Sequence, residues 1–164
     1  MDARALLTQV DKDLSLYLDK IRHCVLLLDE TQLWWRANPR SNSVGNLVLH
    51  LCGNLSQWVL AGVGGRPYAR HRSAEFSADR TATGAELVER LAGVVAGCRE
   101  VVAALTEADL AAPRTIQGYA TDGQRALLHA WEHMSYHTGQ IVLIAKQLVD
   151  ERTEIEFYPQ HQRE

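Results

Sequence analysis

The placement of helix breakers constrains this chain more than any other feature. Its four prolines, Pro39, Pro67, Pro113 and Pro159, lie between long segments in which apolar residues recur every three or four positions. Proline ends or kinks an α-helix because it lacks a backbone N–H and its ring clashes with the preceding turn. No convincing stretch shows the period of two that is typical of strands. The pattern therefore predicts an all-α protein.

Four long amphipathic helices account for the periodicity. In chain order, they run from Leu7 to Leu28, from the N-cap residues Ser41-Asn42-Ser43 to the glycines at 62–65, from Thr81 or Thr83 to Leu105, and from about Asp122 to Leu148. A polar segment from about Arg66 to Arg80 predicts a long crossover loop between the second and third helices. Another loop, with Pro113 and Gly118, is expected before the last helix. This arrangement indicates a four-helix bundle, with residues 1–164 forming one domain.

Composition excludes several classes of partner. The chain carries 17 basic and 20 acidic residues without a block of either charge, so we expect no nucleic-acid partner. No apolar run approaches the ~20 residues that cross a bilayer, and the N-terminal segment lacks the apolar region of a secretion signal. We therefore expect no membrane partner and a cytoplasmic location. Cys24, Cys52 and Cys98 are odd in number and lie among apolar residues, which predicts buried free thiols.

Histidines mark the candidate functional site. His129, His133 and His137 recur every four residues on the last predicted helix, and the last two lie on an apolar stripe that continues to Ile141. Residues four apart share a helix face, so both imidazoles are expected to point toward the bundle core. His50 lies on the inward stripe of the second helix. Three imidazoles can bind one metal ion and leave a position open, as in catalytic metal sites.

The alternative is a set of buried histidines that satisfy hydrogen bonds and bind no metal. A single histidine on an apolar face is usually of this kind, but several converging histidines each need a buried partner. His23, His71 and His161 fall in segments predicted to be solvated and are not candidates. Three imidazoles suit zinc, nickel, iron or copper, so the spacing leaves the metal open.

Three stretches around these histidines resemble the DinB/YfiT-like family of metalloenzymes. They are Leu33-Trp34-Trp35-Arg36 followed by residues 42–51, which end at His50-Leu51; Gly53-Asn54-Leu55-Ser56-Gln57-Trp58 with the later Arg70-His71-Arg72-Ser73-Ala74-Glu75-Phe76; and His133-Met134-Ser135-Tyr136-His137-Thr138-Gly139-Gln140-Ile141. The third stretch is the most specific, because the family's His-x-x-x-His pair closes immediately before x-Gly-Gln. The resemblance covers nearly the whole chain up to about Gln147.

The resemblance implies a function as well as a fold. In such bundles one histidine of the second helix and the pair of the fourth hold a divalent metal, which maps the ligands to His50, His133 and His137. Zinc or nickel is the expected ion, and His129 is expected to lie in the core beside the ligands. The family includes bacillithiol and mycothiol S-transferases and a mycothiol-dependent isomerase. It therefore implies a transferase-like enzyme with a small-molecule substrate, a low-molecular-weight thiol as cosubstrate and, as one arrangement, a homodimer.

Two other functions stay open from the residues alone. One is a metal-dependent hydrolase that activates water, and the other is a noncatalytic metal- or ligand-binding stress protein. No paired carboxylates, Ser-His-Asp order or glycine-rich phosphate loop indicates a different mechanism.

Four residues near the predicted ligands have expected supporting roles. Asn54 is expected to orient either the His50 ring or a ligand water, and Gly53 to permit close approach of another helix. Gln140 either reaches the open side of the metal or satisfies a buried hydrogen bond between helices. Glu75, with the phenylalanine that follows it, either anchors the long loop or forms part of a lid.

Overall fold

Helices dominate the computed structural model, which describes residues 2–158. In chain order the elements are α1 (Ala3–Leu27), α2 (Glu30–Leu33), α3 (Val44–Leu55) with a π-helical extension (Ser56–Val63), α4 (Arg72–Ser77), α5 (Gly84–Ala104), α6 (Glu107–Ala111), β1 (Pro113–Ile116), β2 (Tyr119–Asp122) and α7 (Gly123–Leu148). The predicted all-α four-helix bundle is confirmed. Its long members are α1, α3 with the extension, α5 and α7, and both α1 and α3 pack against α5 and α7.

Side-chain caps determine where the long helices begin. Ser43 Oγ accepts a hydrogen bond from the backbone N–H of Asn46 (3.1 Å), and the Asn46 side chain accepts one from the Ser43 N–H (3.2 Å). Thr83 and Glu86 form the same reciprocal pair at the start of α5, and the Asp122 side chain accepts from the backbone N–H of Arg125 at the start of α7. A cap satisfies backbone N–H groups that have no partner inside the helix. The predicted starts of these three helices are therefore confirmed.

The core forms where the apolar stripes of the helices meet. The predicted stripe of α1 is buried throughout, from Leu7 to Leu28, and all three cysteines are free and buried, as expected. On α5, Val94 is only half-buried, and Val95 occupies the core position because it lies four residues after Leu91. Within residues 2–158, no helix is both long and apolar enough to cross a bilayer.

A short antiparallel hairpin replaces the loop expected before the last helix. Its strands, β1 and β2, have four residues each, and on β1 only Ile116 is fully buried. So short a strand with one buried residue cannot show a period-two pattern. Gln117 and Gly118 form the turn at positive φ angles of 54° and 81°. Two consecutive positive φ values are typical of the tightest hairpin turns.

The predicted crossover loop contains the short helix α4 and is fastened to the bundle. Asn46 Nδ2 donates hydrogen bonds to the backbone carbonyls of Glu75 (3.0 Å) and Ala78 (2.8 Å). Arg36 Nη2 donates to the carbonyls of Phe76 (3.0 Å) and Ala78 (3.1 Å). These bonds give the backbone carbonyls at the C-terminal end of α4 partners from two sides. They support the interpretation of this segment as an anchor.

Candidate metal centre

Three histidines from α3 and α7 meet inside the bundle. The ligand nitrogens of His50, His133 and His137 all lie within 4.8 Å of one another. His50 and His137 are buried, and His133 is half-buried. The Nε2 atoms of His50 and His133 are 2.7 Å apart, and the ring centre of His137 lies 5.1 Å from that of His50 and 4.5 Å from that of His133. The fold thus brings together the three residues selected from the sequence.

Local sequence explains why these imidazoles lie inside. Every residue of α3 from Val44 to Leu55 is buried, because α5, α7 and α4 all pack against it. On α7, the two histidines are four residues apart, and a step of four exceeds one full turn by only about 40°. Met134, Thr138 and Ile141 on the same side are buried. Both rings of the pair therefore enter the core.

The second ring nitrogen of two of these histidines is occupied by an acceptor. Glu75 Oε2 lies 2.9 Å from His50 Nδ1, and Gln140 Oε1 lies 2.7 Å from His137 Nδ1. With an oxygen acceptor at Nδ1, that nitrogen carries the proton and Nε2 keeps its lone pair. Gln140 therefore satisfies a hydrogen bond within its own helix, so the predicted bond between helices is wrong.

An arginine of the crossover segment binds the Glu75 carboxylate that contacts His50. Arg70 donates from Nε to Glu75 Oε1 (2.7 Å) and from Nη2 to Glu75 Oε2 (2.8 Å). Both side chains are nearly buried, with 5% and 10% of their surface exposed. A bidentate pair of this kind holds the carboxylate in one orientation. Arg70 has no role predicted from the sequence beyond the family resemblance, because an arginine in a polar loop has no spacing that relates it to a helix.

Gly53 makes room for this carboxylate. A Cβ atom placed on Gly53 would lie 2.0 Å from Glu75 Oε1 and 3.0 Å from Arg70 Nε. The close approach expected at this glycine is made by the short helix α4, which packs against α3 and carries Glu75. What approaches the α3 backbone is the Glu75 side chain, carried by the crossover segment.

Burial keeps the three imidazoles neutral. It lowers the pKa of His50, against the opposing effect of the hydrogen bond to Glu75, and it lowers the pKa of His137, against that of Gln140. The pKa of His133 falls to about 3, first through burial and then through the neighbouring histidines. A neutral imidazole is the form that coordinates a metal, so this group can bind an ion at neutral pH without first losing protons.

The neighbouring residues lie beside this group and not in it. His129 stacks on His133 with ring centres 5.5 Å apart and contacts Trp58 at 4.1 Å, which agrees with its expected place beside the ligands. The expectation that Asn54 orients His50 is wrong. Asn54 Oδ1 is buried and has no hydrogen-bond partner in the described part of the chain, and Glu75 occupies the position beside the ring.

The remaining histidines were not predicted to be ligands. His23 and His71 are exposed, as predicted. His161 lies outside the described residues.

The donor set fits a divalent metal ion. Three neutral imidazoles, with the Nε2 lone pairs of His50 and His137 directed inward, match the three-histidine sites in which one position is left for water or substrate. The same set is suitable for zinc, nickel, iron and copper. These three histidines could therefore hold a divalent ion.

Solved structures share this architecture. A DinB-like protein from Bacillus subtilis superposes with a TM-score of 0.68 at 17% sequence identity, covering 92% of this chain and 97% of that chain. A conserved protein from Enterococcus faecalis gives a TM-score of 0.71 at 16% identity, covering 85% and 94%. At sequence identities this low, the superpositions establish a common fold.

A third neighbour is a mycothiol-dependent maleylpyruvate isomerase. It gives a TM-score of 0.64 at 14% identity and covers 86% of this chain, which spans 63% of the isomerase. No curated protein sequence matches the chain significantly. Residues 2–159, however, match the family model described as Protein of unknown function (DUF1572). The predicted resemblance to DinB-like proteins is confirmed at the level of the fold, and the chain belongs to the DUF1572 family.

Proposed function

We propose that this protein is a divalent-metal-dependent enzyme in which His50, His133 and His137 hold the ion and a low-molecular-weight thiol is the nucleophile of an S-transfer reaction. The observation that carries the proposal is the convergence of three neutral imidazoles whose ligand nitrogens lie within 4.8 Å. Zinc or nickel is the expected ion. When bound, such an ion lowers the pKa of a coordinated thiol, so that the thiolate is available to attack an electrophile.

The chain's own thiols are unsuited to the role of nucleophile. Burial raises the pKa of Cys24 to about 11 and that of Cys52 and Cys98 to about 12. Thiols with such pKa values are almost entirely protonated at neutral pH, whereas the thiolate is the reactive form. Cys52 is two residues from His50, which separates their side chains by roughly 160° around α3. The proposal therefore takes the thiol from outside the chain.

A cavity beside His133 offers space for a substrate. Its volume is about 660 Å³, within the range of roughly 300–1,000 Å³ that is usual for small-molecule sites. Aromatic rings from two helices line it, namely Tyr17 of α1 and His129, Trp131, His133 and Tyr136 of α7. Such a wall favours an electrophile with an apolar or aromatic part. The mycothiol dependence of the isomerase with a similar fold supports a thiol as cosubstrate.

Elemental analysis of protein purified without a histidine tag tests the ligand assignment. We expect about one divalent ion per chain, lost in large part from each of His50→Ala, His133→Ala and His137→Ala. His23→Ala is the matched control, because that histidine is exposed on α1, and it should keep the metal. Full occupancy in His133→Ala would contradict the assignment.

Cobalt substitution tests the thiol. Addition of the cognate thiol to cobalt-loaded protein should produce a sulfur-to-metal charge-transfer band, and His50→Ala should lose both this band and turnover. A panel of physiological thiols should be screened with a set of electrophiles. Metal-loaded protein that gives neither band nor turnover with the whole panel would refute the thiol and leave water activation or a noncatalytic role.

A further inference from the structure

We infer that Arg70 and Glu75 are positioning residues for the metal centre. The carboxylate fixes the tautomer and the orientation of His50, so that its Nε2 faces the two histidines of α7. This inference rests on the proposed function, since it takes His50 to be a metal ligand. The Arg70–Glu75 pair lies on the crossover segment. The crossover segment is therefore part of the site.

Hydrogen bonds assign the proton on His50. Glu75 Oε2 lies 2.9 Å from Nδ1 and Arg70 Nη2 lies 3.1 Å from it. Arg70 Nη2 donates to Glu75 Oε2 at 2.8 Å; since Nη2 has a second hydrogen, the carboxylate contact at Nδ1, and not the arginine contact, assigns the ring proton. An unprotonated ring nitrogen would present its lone pair to a carboxylate oxygen 2.9 Å away, which is repulsive. The proton therefore lies on Nδ1, and Nε2 directs its lone pair toward His133, whose Nε2 is 2.7 Å away.

The carboxylate can impose this orientation because it is itself held at several points. Arg70 binds both of its oxygens, and Asn46 donates to the backbone carbonyl of the same residue at 3.0 Å. The pair is nearly buried, so water does not compete strongly for these bonds. A charged acceptor held in this way orients a ligand imidazole and increases its basicity.

Gly53 provides an independent way to move the carboxylate without removing it. In Gly53→Ala the new methyl group would lie only 2.0 Å from Glu75 Oε1. This distance is too short for two nonbonded atoms, so the carboxylate must shift. Alanine otherwise favours a helix over glycine. If these residues had no role at the site, this variant would bind metal like the wild type.

The first experiment measures zinc affinity by competition with a chromophoric chelator. Glu75→Ala and Gly53→Ala should bind zinc about 10–100-fold more weakly than the wild type. Arg70→Ala should also bind zinc more weakly than the wild type. The matched control is Arg66→Ala, which removes the exposed ion pair with Glu100 and should leave the affinity unchanged. Affinities within twofold of the wild type in both Glu75→Ala and Gly53→Ala would overturn the inference.

The second experiment reads the tautomer of His50 in metal-free protein by long-range proton–nitrogen NMR correlations. The wild type should show the Nδ1–H form, and Glu75→Ala a mixture of tautomers. A wild-type ring protonated at Nε2 would overturn the inference. Wild-type protein that binds no zinc would refute the proposed function, and the NMR result would then decide the positioning of His50 by itself.

Discussion

Metal-free protein should lose stability as the pH falls from about 7.5 to about 5.5, and His133 should account for about 1.4 kcal/mol of this loss. In the folded protein the pKa of His133 is lowered to about 3, so the ring stays neutral throughout this range. In the unfolded chain the ring returns to its ordinary pKa of 6.5 and gains a proton. Because the unfolded state binds more protons, the free energy of unfolding decreases as the pH falls.

The magnitude follows from the unfolded-state titration. The range extends one pH unit to either side of 6.5, and integration over it gives RT ln 10, which is about 1.4 kcal/mol for one histidine. The lowered pKa values of His50 and His137 act in the same direction, so the total loss in the wild type exceeds this figure.

Urea unfolding in a chelator, at both pH values, isolates the contribution of His133. His133→Gln removes the titrating ring, so its loss of stability should be smaller than that of the wild type by about 1.4 kcal/mol. His23→Gln, at an exposed position of α1, should match the wild type. Equal losses in the wild type and in His133→Gln would refute the reasoning, because they would show that burial does not suppress protonation of this ring.

Three further predictions concern the core and the helix backbones. A thiol reagent should modify the cysteines slowly until the protein unfolds, because all three are buried with raised pKa values, and rapid modification of native Cys52 would contradict this. Gly123→Ala should destabilise the protein by about 1–3 kcal/mol in urea unfolding, because its Cβ would lie 2.3 Å from the Asp109 carbonyl oxygen. Gly93→Ala on α5 has no atom within 4 Å of the new Cβ and should instead stabilise by about 1 kcal/mol, and a loss of stability there would oppose this reasoning.

Local interactions explain which parts of the fold could be predicted. Helix periodicity and N-caps depend on residues within four positions of one another, so Ser43, Thr83 and Asp122 mark helix starts in the sequence itself. The hairpin was missed because only one residue of β1 is fully buried. Its turn has positive φ angles at Gln117 and Gly118. Such turns usually begin with asparagine, aspartate or glycine, so a pair that begins with glutamine does not indicate one.

In the candidate site, too, some features could be predicted from local sequence and others could not. The spacing of His133 and His137 on one helix, and the place of His50 on an apolar stripe, are properties of the sequence alone, because an α-helix converts spacing into direction. The partner of His50 depends on tertiary structure, whereas that of His137, Gln140, lies three residues away on the same helix. Glu75 reaches His50 only because Asn46 and Arg36 fasten the crossover segment to the bundle and Gly53 leaves space for the carboxylate. Hydrogen bonds between residues 20 or more positions apart have no period along the chain, so only the folded structure decides them.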